Sequence, residues 1–312
     1  MLGCSDIDES KSFPNRRLRE NTLAKTICKE AKIVKMVFAV YLQPDPITGS
    51  EPYFWRRDQM TKNTPLLGKT TIVTRVRNRN AILWDTLKNW LQFDVPEIIV
   101  TDYRDDGSES AWNVVKGLND SRIKVIETKY EYMFAPTLAW NLGISQVKTE
   151  YILCLDVDDV LATTFFEQNV FGEKKFICGW GFGSLTGAYY IKKEHHDSVN
   201  GFNEEMLYMG YGDIDLYMRL KAAGFSYYSF ARNTIRHKDH PVRLKVVNQV
   251  QQKDDRVTGN NAYQLWWAFH ECNVKISKLL PWTPESSRVQ WKLTELDACR
   301  FLAERDVIRK PL

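Results

Sequence analysis

From Thr70 onward the chain alternates short β-branched runs with longer amphipathic stretches, and this alternation limits the possible folds more than any other feature. TIVTRV, EIIVTD, IKVIET and EYILCLD have the length and composition of strands. Between them, NAILWDTLKNWLQF, SAWNVVKGL and PTLAWNLGISQV have helical spacing, with Leu83, Leu87, Trp90 and Leu91 on one face of the first. Strands joined through helices run parallel, so the expected fold class is α/β: a Rossmann-like, mostly parallel sheet sandwiched by helices. We expect this α/β domain over 67–240, with an N-terminal extension over residues 1–66 and a C-terminal helical region over 241–312, which includes NAYQLWWAFHEC and SRVQWKLTELDACRFLAERDVI.

Composition narrows the function class only a little. The chain has 312 residues with 44% hydrophobic and 12% aromatic content, which is globular, and a net charge of +4 lacks the polybasic footprint of a nucleic-acid binder. MVFAVYL at 36–42 is a strand-length run, whereas a membrane span needs about 20 residues, so no membrane span is expected. Six scattered cysteines without a CxxC pair, and an N-terminus without an apolar core, point to a reducing, cytoplasmic location.

In parallel sheets, ligands gather outside the carboxyl ends of the strands. There the sequence places Asp156, Asp158 and Asp159 after YILCL, Asp102 after EIIV, and Arg77 and Arg79 after TIVTRV. A buried carboxylate is costly without a cation or strong hydrogen bonds, so the acidic cluster implies a partner. The plainer reading is that Asp158 or Asp159 caps a helix through VLATTFFEQNV. A calcium loop fails, because Leu161 stands where the sharp turn needs glycine and Val160 where a ligand belongs. A P-loop at NTPLLGKT fails too, since Asn63 replaces its first glycine and the stretch precedes a strand.

Further along stand GYGDIDLYMRL and RHKDH. Together with RVRNRNAIL and AWNLGISQVKTEYILCLDVDDVL, they resemble, in order and spacing, the GT-A-fold nucleotide-sugar glycosyltransferases, in particular family 2 and the galactosyltransferase family 7. The resemblance spans about residues 70–240. It implies an inverting glycosyltransferase that uses Mn²⁺ or Mg²⁺ and moves a sugar from a nucleoside-diphosphate sugar, expected to be a UDP-sugar, to a glycan acceptor. By that resemblance Asp158 and His237 are direct metal ligands, with Asp156 at the ribose or a metal-bound water. Asp213 is the catalytic base, and Arg77, Arg79, Asp102 and Asp156 serve the nucleotide. Asp215, Tyr211 and Trp180 are expected on the acceptor side. The chain departs from family 7 at two places: Thr234 stands where a metal-binding methionine is usual, and Gly212 where a glutamate precedes the base.

The chemistry agrees with these assignments. Expelling a diphosphate develops negative charge that a divalent cation neutralises, and hard cations choose carboxylate oxygen while Mn²⁺ also accepts imidazole. A carboxylate near the acceptor hydroxyl takes its proton during attack. Three other classes compete: a degenerate GT-A module that binds without turnover, a sugar nucleotidyltransferase, and a glycoside hydrolase. TRVRNRN has no glycine-rich phosphate loop, which counts against the second, and the arginines count against the third.

Overall fold

The computed structural model describes residues 66–103, 109–128, 135–181, 185–206, 209–238 and 259–305. All lie in the compact unit Thr61–Leu312. The proposed N-terminal extension and the strand at 36–42 fall outside the described residues.

Four parallel-sheet strands appear where the alternation predicts them: β1 (Thr70–Val76), β2 (Glu97–Asp102), β3 (Ile123–Thr128) and β4 (Tyr151–Cys154). Helices α1 (Asn80–Trp90), α2 (Ala111–Leu118) and α3 (Pro136–Ser145) connect them. β2 and β4 flank β1, both parallel to it, and β3 lies parallel outside β2. Nearly every residue of β1 is buried, as a central strand covered on both faces requires.

Side-chain parity along the strands divides the interior in two. Ile72, Val76, Ile98, Val100, Ile123 and Val125 face Leu83, Leu87 and Trp90 of α1 and Val115 of α2. On the other face, Val73, Ile99, Ile152 and Cys154 pack against Trp140, Leu142 and Ile144 of α3. α3 has no polar face, and residues Pro136 through Ile144 are all buried. It also comes very close to the sheet: a Cβ on Gly143 would lie 2.6 Å from Thr101 Oγ1 and 2.9 Å from Val73 Cγ1.

After β4 the topology becomes mixed. β5 (Asp159–Leu161) leaves the main sheet, the four-residue helix α4 (Phe165–Gln168) follows, and β6 (Lys175–Cys178) returns. β7 (Tyr189–Lys192) pairs antiparallel with both β4 and β6. Helices α5 (Lys193–Ser198) and α6 (Gly212–Ala222) then precede β8 (Ser226–Ser229), which runs parallel to β6. β9 (Ile235–His237) pairs antiparallel with β5 as a separate two-stranded sheet.

The C-terminal region differs from the expected all-helical one. Helix α7 (Gly259–Leu279) is present, but residues 291–305 form a hairpin of β10 (Trp291–Asp297) and β11 (Arg300–Arg305). β11 extends the main sheet by pairing parallel with β3, giving the order β10-β11-β3-β2-β1-β4-β7-β6-β8 among the described residues. Leu, Lys, Glu and Ala favour a helix here, yet Trp291 and Leu293 alternate with polar residues, as do Phe301 and Ala303, and all four join the α3-side core. Asp297 turns the chain by accepting a hydrogen bond from Ala298 N, and Arg300 pairs with the buried Glu127 of β3 at 2.7 Å. An open sheet edge thus overrides local helix propensity.

Gly143→Ala should cost about 1–3 kcal/mol, a melting-temperature loss on the order of 3–10 °C, despite the ~1 kcal/mol that alanine gains in helix propensity. Gly172→Ala, where an added Cβ meets nothing within 4 Å, is the matched control. Equal melting temperatures for the two variants would show that α3 does not sit this tightly on the sheet.

Candidate active site

The carboxyl ends of β1 and β4 diverge where the strand order reverses, the usual position for a ligand crevice. Leu155 prolongs β4 by one residue, donating its N–H to Val73 O at 3.0 Å. The chain then turns through Asp156-Val157-Asp158-Asp159. Asp159 N bonds Asp156 O, and Asp159 Oδ2 accepts from Asp156 N, both at 2.9 Å. Asp159 is therefore not a helix cap, and neither is Asp158: Asp159 opens β5, and the short α4 starts after Thr164.

β5 is held from two sides. Asn89 of α1 brackets the Leu161 peptide with hydrogen bonds of 2.8 and 2.9 Å, and Trp90 Nε1 donates to Asp159 O at 3.0 Å. On the other side the pairing register sets Asp159 opposite His237, and Lys238 N donates to Asp158 O at 2.8 Å. Residues 78 positions apart thereby meet: His237 Nδ1 lies 2.9 Å from Asp159 Oδ1 and 3.4 Å from Asp158 Oδ1.

Asp158 and Asp159 are almost wholly buried, with side chains 1% and 0% exposed. Arg79 supplies positive charge, with Nη1 2.9 Å from Asp158 Oδ2. Burial pushes the Asp159 carboxyl up, while the His237 hydrogen bond pulls it down. Burial alone would lower His237, but its bond to Asp159 and the fields of Asp158, Asp159 and Asp156 outweigh this and raise it.

One ligand atom from each of Asp158, Asp159 and His237 lies within 4.8 Å of the others. Two carboxylate oxygens and one imidazole nitrogen form a donor set suited to Mn²⁺, and acceptable to Mg²⁺. The residues fit a divalent cation. Asp156 stands apart from this group: its side chain is 25% exposed and pairs with Arg75 Nη2 at 3.2 Å. Arg75 shares the sheet face of Val73, and its guanidinium stacks 4.9 Å from the Trp140 ring.

Asp213 sits in the first turn of α6, where Ile214 N bonds its Oδ1 at 3.0 Å. Burial pushes its carboxyl up to about 6; the Ile214 bond and Arg75 oppose the rise, and the negative charge of Asp156 adds to it. The side chain keeps partial exposure, so solvent moderates the shift. The turn before α6 is tight, with Gly210 at φ 96° and Tyr211 at φ 73°. A Cβ on Gly212 would lie 2.8 Å from Thr137 Cγ2, so the glutamate usual in family 7 has no room there without movement of α3.

The other expected site residues occupy less direct positions. Asp215 is 5% exposed and bound to Arg219 at 2.8 Å, and it accepts a hydrogen bond from Ser277 of α7 at 2.5 Å. Asp102 is buried and accepts from Ala111 N at the start of α2 at 2.8 Å. Arg77 is buried near the end of β1. Trp180 packs against Tyr217 and Tyr227, and the Tyr211 ring meets His270 of α7 edge-on at 5.5 Å. The Thr234 hydroxyl donates to Ala231 O and accepts from Asn169, an internal use that differs from the metal-binding methionine of family 7.

Sequence reasoning passed over three contributors. Asp159, grouped with the acidic cluster and otherwise weighed as a helix cap, is given no ligand role by the sequence, although it is the third acid in a run of four residues. Arg75 was read as an ordinary strand residue, although its parity with Val73 puts it on the α3 face. On α7, Trp266, His270, Asn273 and Ser277 form one stripe at helical spacing: Trp266 stacks on His270, Asn273 bonds Gly210 O at 2.7 Å, and Ser277 bonds Asp215.

A mixed, mostly parallel sheet with an acid-histidine cluster at its switch point is the arrangement that the sequence resemblance to GT-A glycosyltransferases leads one to expect. Residues 71–171 match the model of glycosyl transferase family 2, and residues 173–241 match that described as the N-terminal domain of galactosyltransferase. The first match runs from β1 through β5 and α4 and the second from just before β6 to beyond His237, so over this span the chain is similar to glycosyltransferases of both families. Solved structures similar to it include the catalytic domain of Drosophila β1,4-galactosyltransferase 7 complexed with xylobiose, at 11% identity, TM-score 0.46, and coverage of 76% of this chain and 92% of that one. Another is the mannosyltransferase PcManGT from Pyrobaculum calidifontis with GDP-Man and Mn²⁺, at 11% identity, TM-score 0.47, and coverage of 84% and 87%. No curated protein matches the chain. Among the described residues no helix is long and apolar enough to cross a membrane.

The raised His237 has a consequence for stability. Its proton stabilises the metal-free protein fully below the unfolded value near 6.5, and this contribution is lost as pH rises through the folded value. A divalent cation needs the neutral imidazole and so competes with that proton. Thermal melts with Mn²⁺ should therefore show a larger stabilisation at about pH 8 than at about pH 6. The increment should vanish in Asp158→Asn and His237→Ala; a pH-independent increment would exclude His237 from the metal's ligands.

Proposed function

We propose that the protein transfers a sugar from a nucleoside-diphosphate sugar, most simply a UDP-sugar, to a hydroxyl of a glycan acceptor, with inversion at the anomeric carbon. The observation that carries this reading is the convergence of Asp158, Asp159 and His237 within 4.8 Å of one another at the switch point of the sheet. A divalent cation held by Asp158, Asp159 and His237 neutralises the charge developing on the leaving diphosphate. Arg79 and Arg77 add cationic donors for that diphosphate, and guanidinium geometry suits phosphate oxygens. Asp102 and Asp156 orient the nucleoside and ribose.

Asp213 takes the proton of the acceptor hydroxyl as its oxygen bonds the anomeric carbon and the bond to the diphosphate breaks. A single displacement of this kind needs no covalent sugar intermediate and inverts the centre. A carboxyl at about 6 is ionised at neutral pH while remaining a better base than an ordinary aspartate. Tyr211, with the α7 stripe beside it, forms the acceptor wall, where aromatic rings cover the apolar faces of sugars.

A screen of UDP-, GDP- and TDP-sugars with Mn²⁺ or Mg²⁺, scored by released nucleoside diphosphate, tests the reading. One donor should turn over in a metal-dependent way. Asp213→Asn should lower kcat by about 10²–10⁴-fold with donor affinity retained. The wild-type kcat/KM should fall as pH drops below about 6, where Asp213 becomes protonated. Release of pyrophosphate instead would make the protein a nucleotidyltransferase, and binding without release would make it a lectin-like module.

A further inference from the structure

We infer that Glu204 is a positioning residue: it fastens the C-terminal segment 282–289 to the chain that leads into α6, and so holds the turn carrying Asp213. The inference rests on the role proposed above for Asp213. The two family matches end at residues 171 and 241, so neither pattern gives segment 282–289 a part in the site.

Segment 199–206 is held from three sides. Asn141 of α3 brackets Phe202, accepting from its N–H and donating to its carbonyl, both at 2.9 Å. One helical turn earlier, Thr137 donates to Met206 O at 3.3 Å, and the methyl group of the same threonine is what a Cβ on Gly212 would meet. α3 therefore touches both the segment and the start of α6. From α6 itself, Arg219 donates to Val199 O at 2.7 Å.

The third side is C-terminal. Asn200, at φ 59°, donates to Thr283 O and Ser286 O at 3.0 and 2.8 Å, and Trp282 Nε1 donates back to Asn200 O at 2.8 Å. Glu204 joins this side to α3. Its carboxylate accepts from Val289 N at 2.5 Å and from Asn141 Nδ2 at 2.7 Å, and it faces Arg288 Nε at 3.5 Å. Arg288 also donates to Asn141 O at 3.2 Å. The Glu204 side chain is 4% exposed, so these donors replace water around a buried charge. Burial pushes its carboxyl up, and the same donors pull it down.

The orientation of Asn141 makes the carboxylate specific. Both ends of its amide are fixed by Phe202, so Asn141 cannot turn to suit a different partner. Glu204→Gln would set an amide NH₂ against either Asn141 Nδ2 or Val289 N, donor against donor. Released there, segment 199–206 no longer fixes the entry to α6. A shift of about 1 Å in a catalytic group can cost on the order of 10²-fold in rate.

Hydrogen exchange of the full chain, followed by mass spectrometry, reads the turn without requiring turnover. In Glu204→Gln the amides of residues 209–216 should exchange at least ~10-fold faster than in wild type, while β5 and β9 keep their rates. In the donor assay the acid limb of kcat/KM should also move. Burial and Asp156 raise the Asp213 carboxyl to about 6 against the Ile214 bond and Arg75, and its neighbours Cys178 and Tyr217 are uncharged. A loosened turn admits water, so the limb should shift down toward the ordinary aspartate value near 4, which a mere loss of folded protein would not cause. Arg288→Met, in a half-buried side chain, guards against a Glu204 variant that fails to fold and should show the same changes to a smaller extent. Glu285→Ala, exposed on the same segment, should match wild type. Exchange over 209–216 that is unchanged in both Glu204→Gln and Arg288→Met, or raised equally in β5 and β9, overturns the positioning role. So does a lowered melting temperature with the acid limb in its wild-type place. Absence of turnover by wild type with every donor would overturn the glycosyltransfer reading instead, and the exchange rates still decide whether Glu204 holds the turn.

Discussion

The site depends on the antiparallel pairing of two three-residue strands, β5 and β9. Two adjacent carboxylates, Asp158 and Asp159, are removed from water here, and such burial is tolerable only with positive charge held at contact distance. The pairing brings His237 across from Asp159, and the turn closed by the Asp159 side chain aims Asp158 at Arg79. Asn89 and Trp90 secure β5 from α1, so the helix that covers the sheet also anchors the acidic turn. Packing and chemistry use the same residues, and a change in one disturbs the other.

Parity in the sheet accounts for the division of labour around this turn. Even-numbered β1 residues face the α1–α2 core, whereas Val73 and Arg75 face α3 and the core to which α6 contributes Leu216 and Tyr217. Arg75 therefore emerges on the side where α6 presents Asp213, and Arg79, beyond the strand, emerges beside Asp158. Asp156 lies between the two, neutralised by Arg75 and within the field of Asp213. In the proposed reaction, one side of the crevice offers positive charge to a leaving group. The other keeps a carboxyl partly desolvated, the condition a proton acceptor needs.

Much of this was legible in the sequence because it follows from local pattern. The β/α alternation defines four strands and three helices, and the wording of LDVDD, GYGDID and RHKDH points to Asp158, Asp213 and His237. What was not legible required partners distant in the chain. Asp159 looks like a cap until β9 lies alongside it, and Arg75 looks like a surface residue until Trp140 and Asp156 surround it. The C-terminal hairpin was missed for the same reason. WKLTELD reads as a helix by composition, and only the open edge of β3 makes its alternation decisive.

The acceptor side presents the opposite situation, where the family pattern suggests more than this chain can supply. Gly212 leaves no space for a glutamate, because α6 begins against Thr137 of α3. Asp215, the other acid of the motif, is engaged by Arg219 and Ser277 and serves as a brace between α6 and α7. Polar contacts to the acceptor must then come from outside the motif, and the nearest side chains that line the Gly210–Tyr211 turn belong to α7. His270 meets Tyr211, and Asn273 holds the Gly210 carbonyl. On the function proposed above, α7 would take the place of that glutamate, and acceptor choice would follow from how α7 packs against this turn.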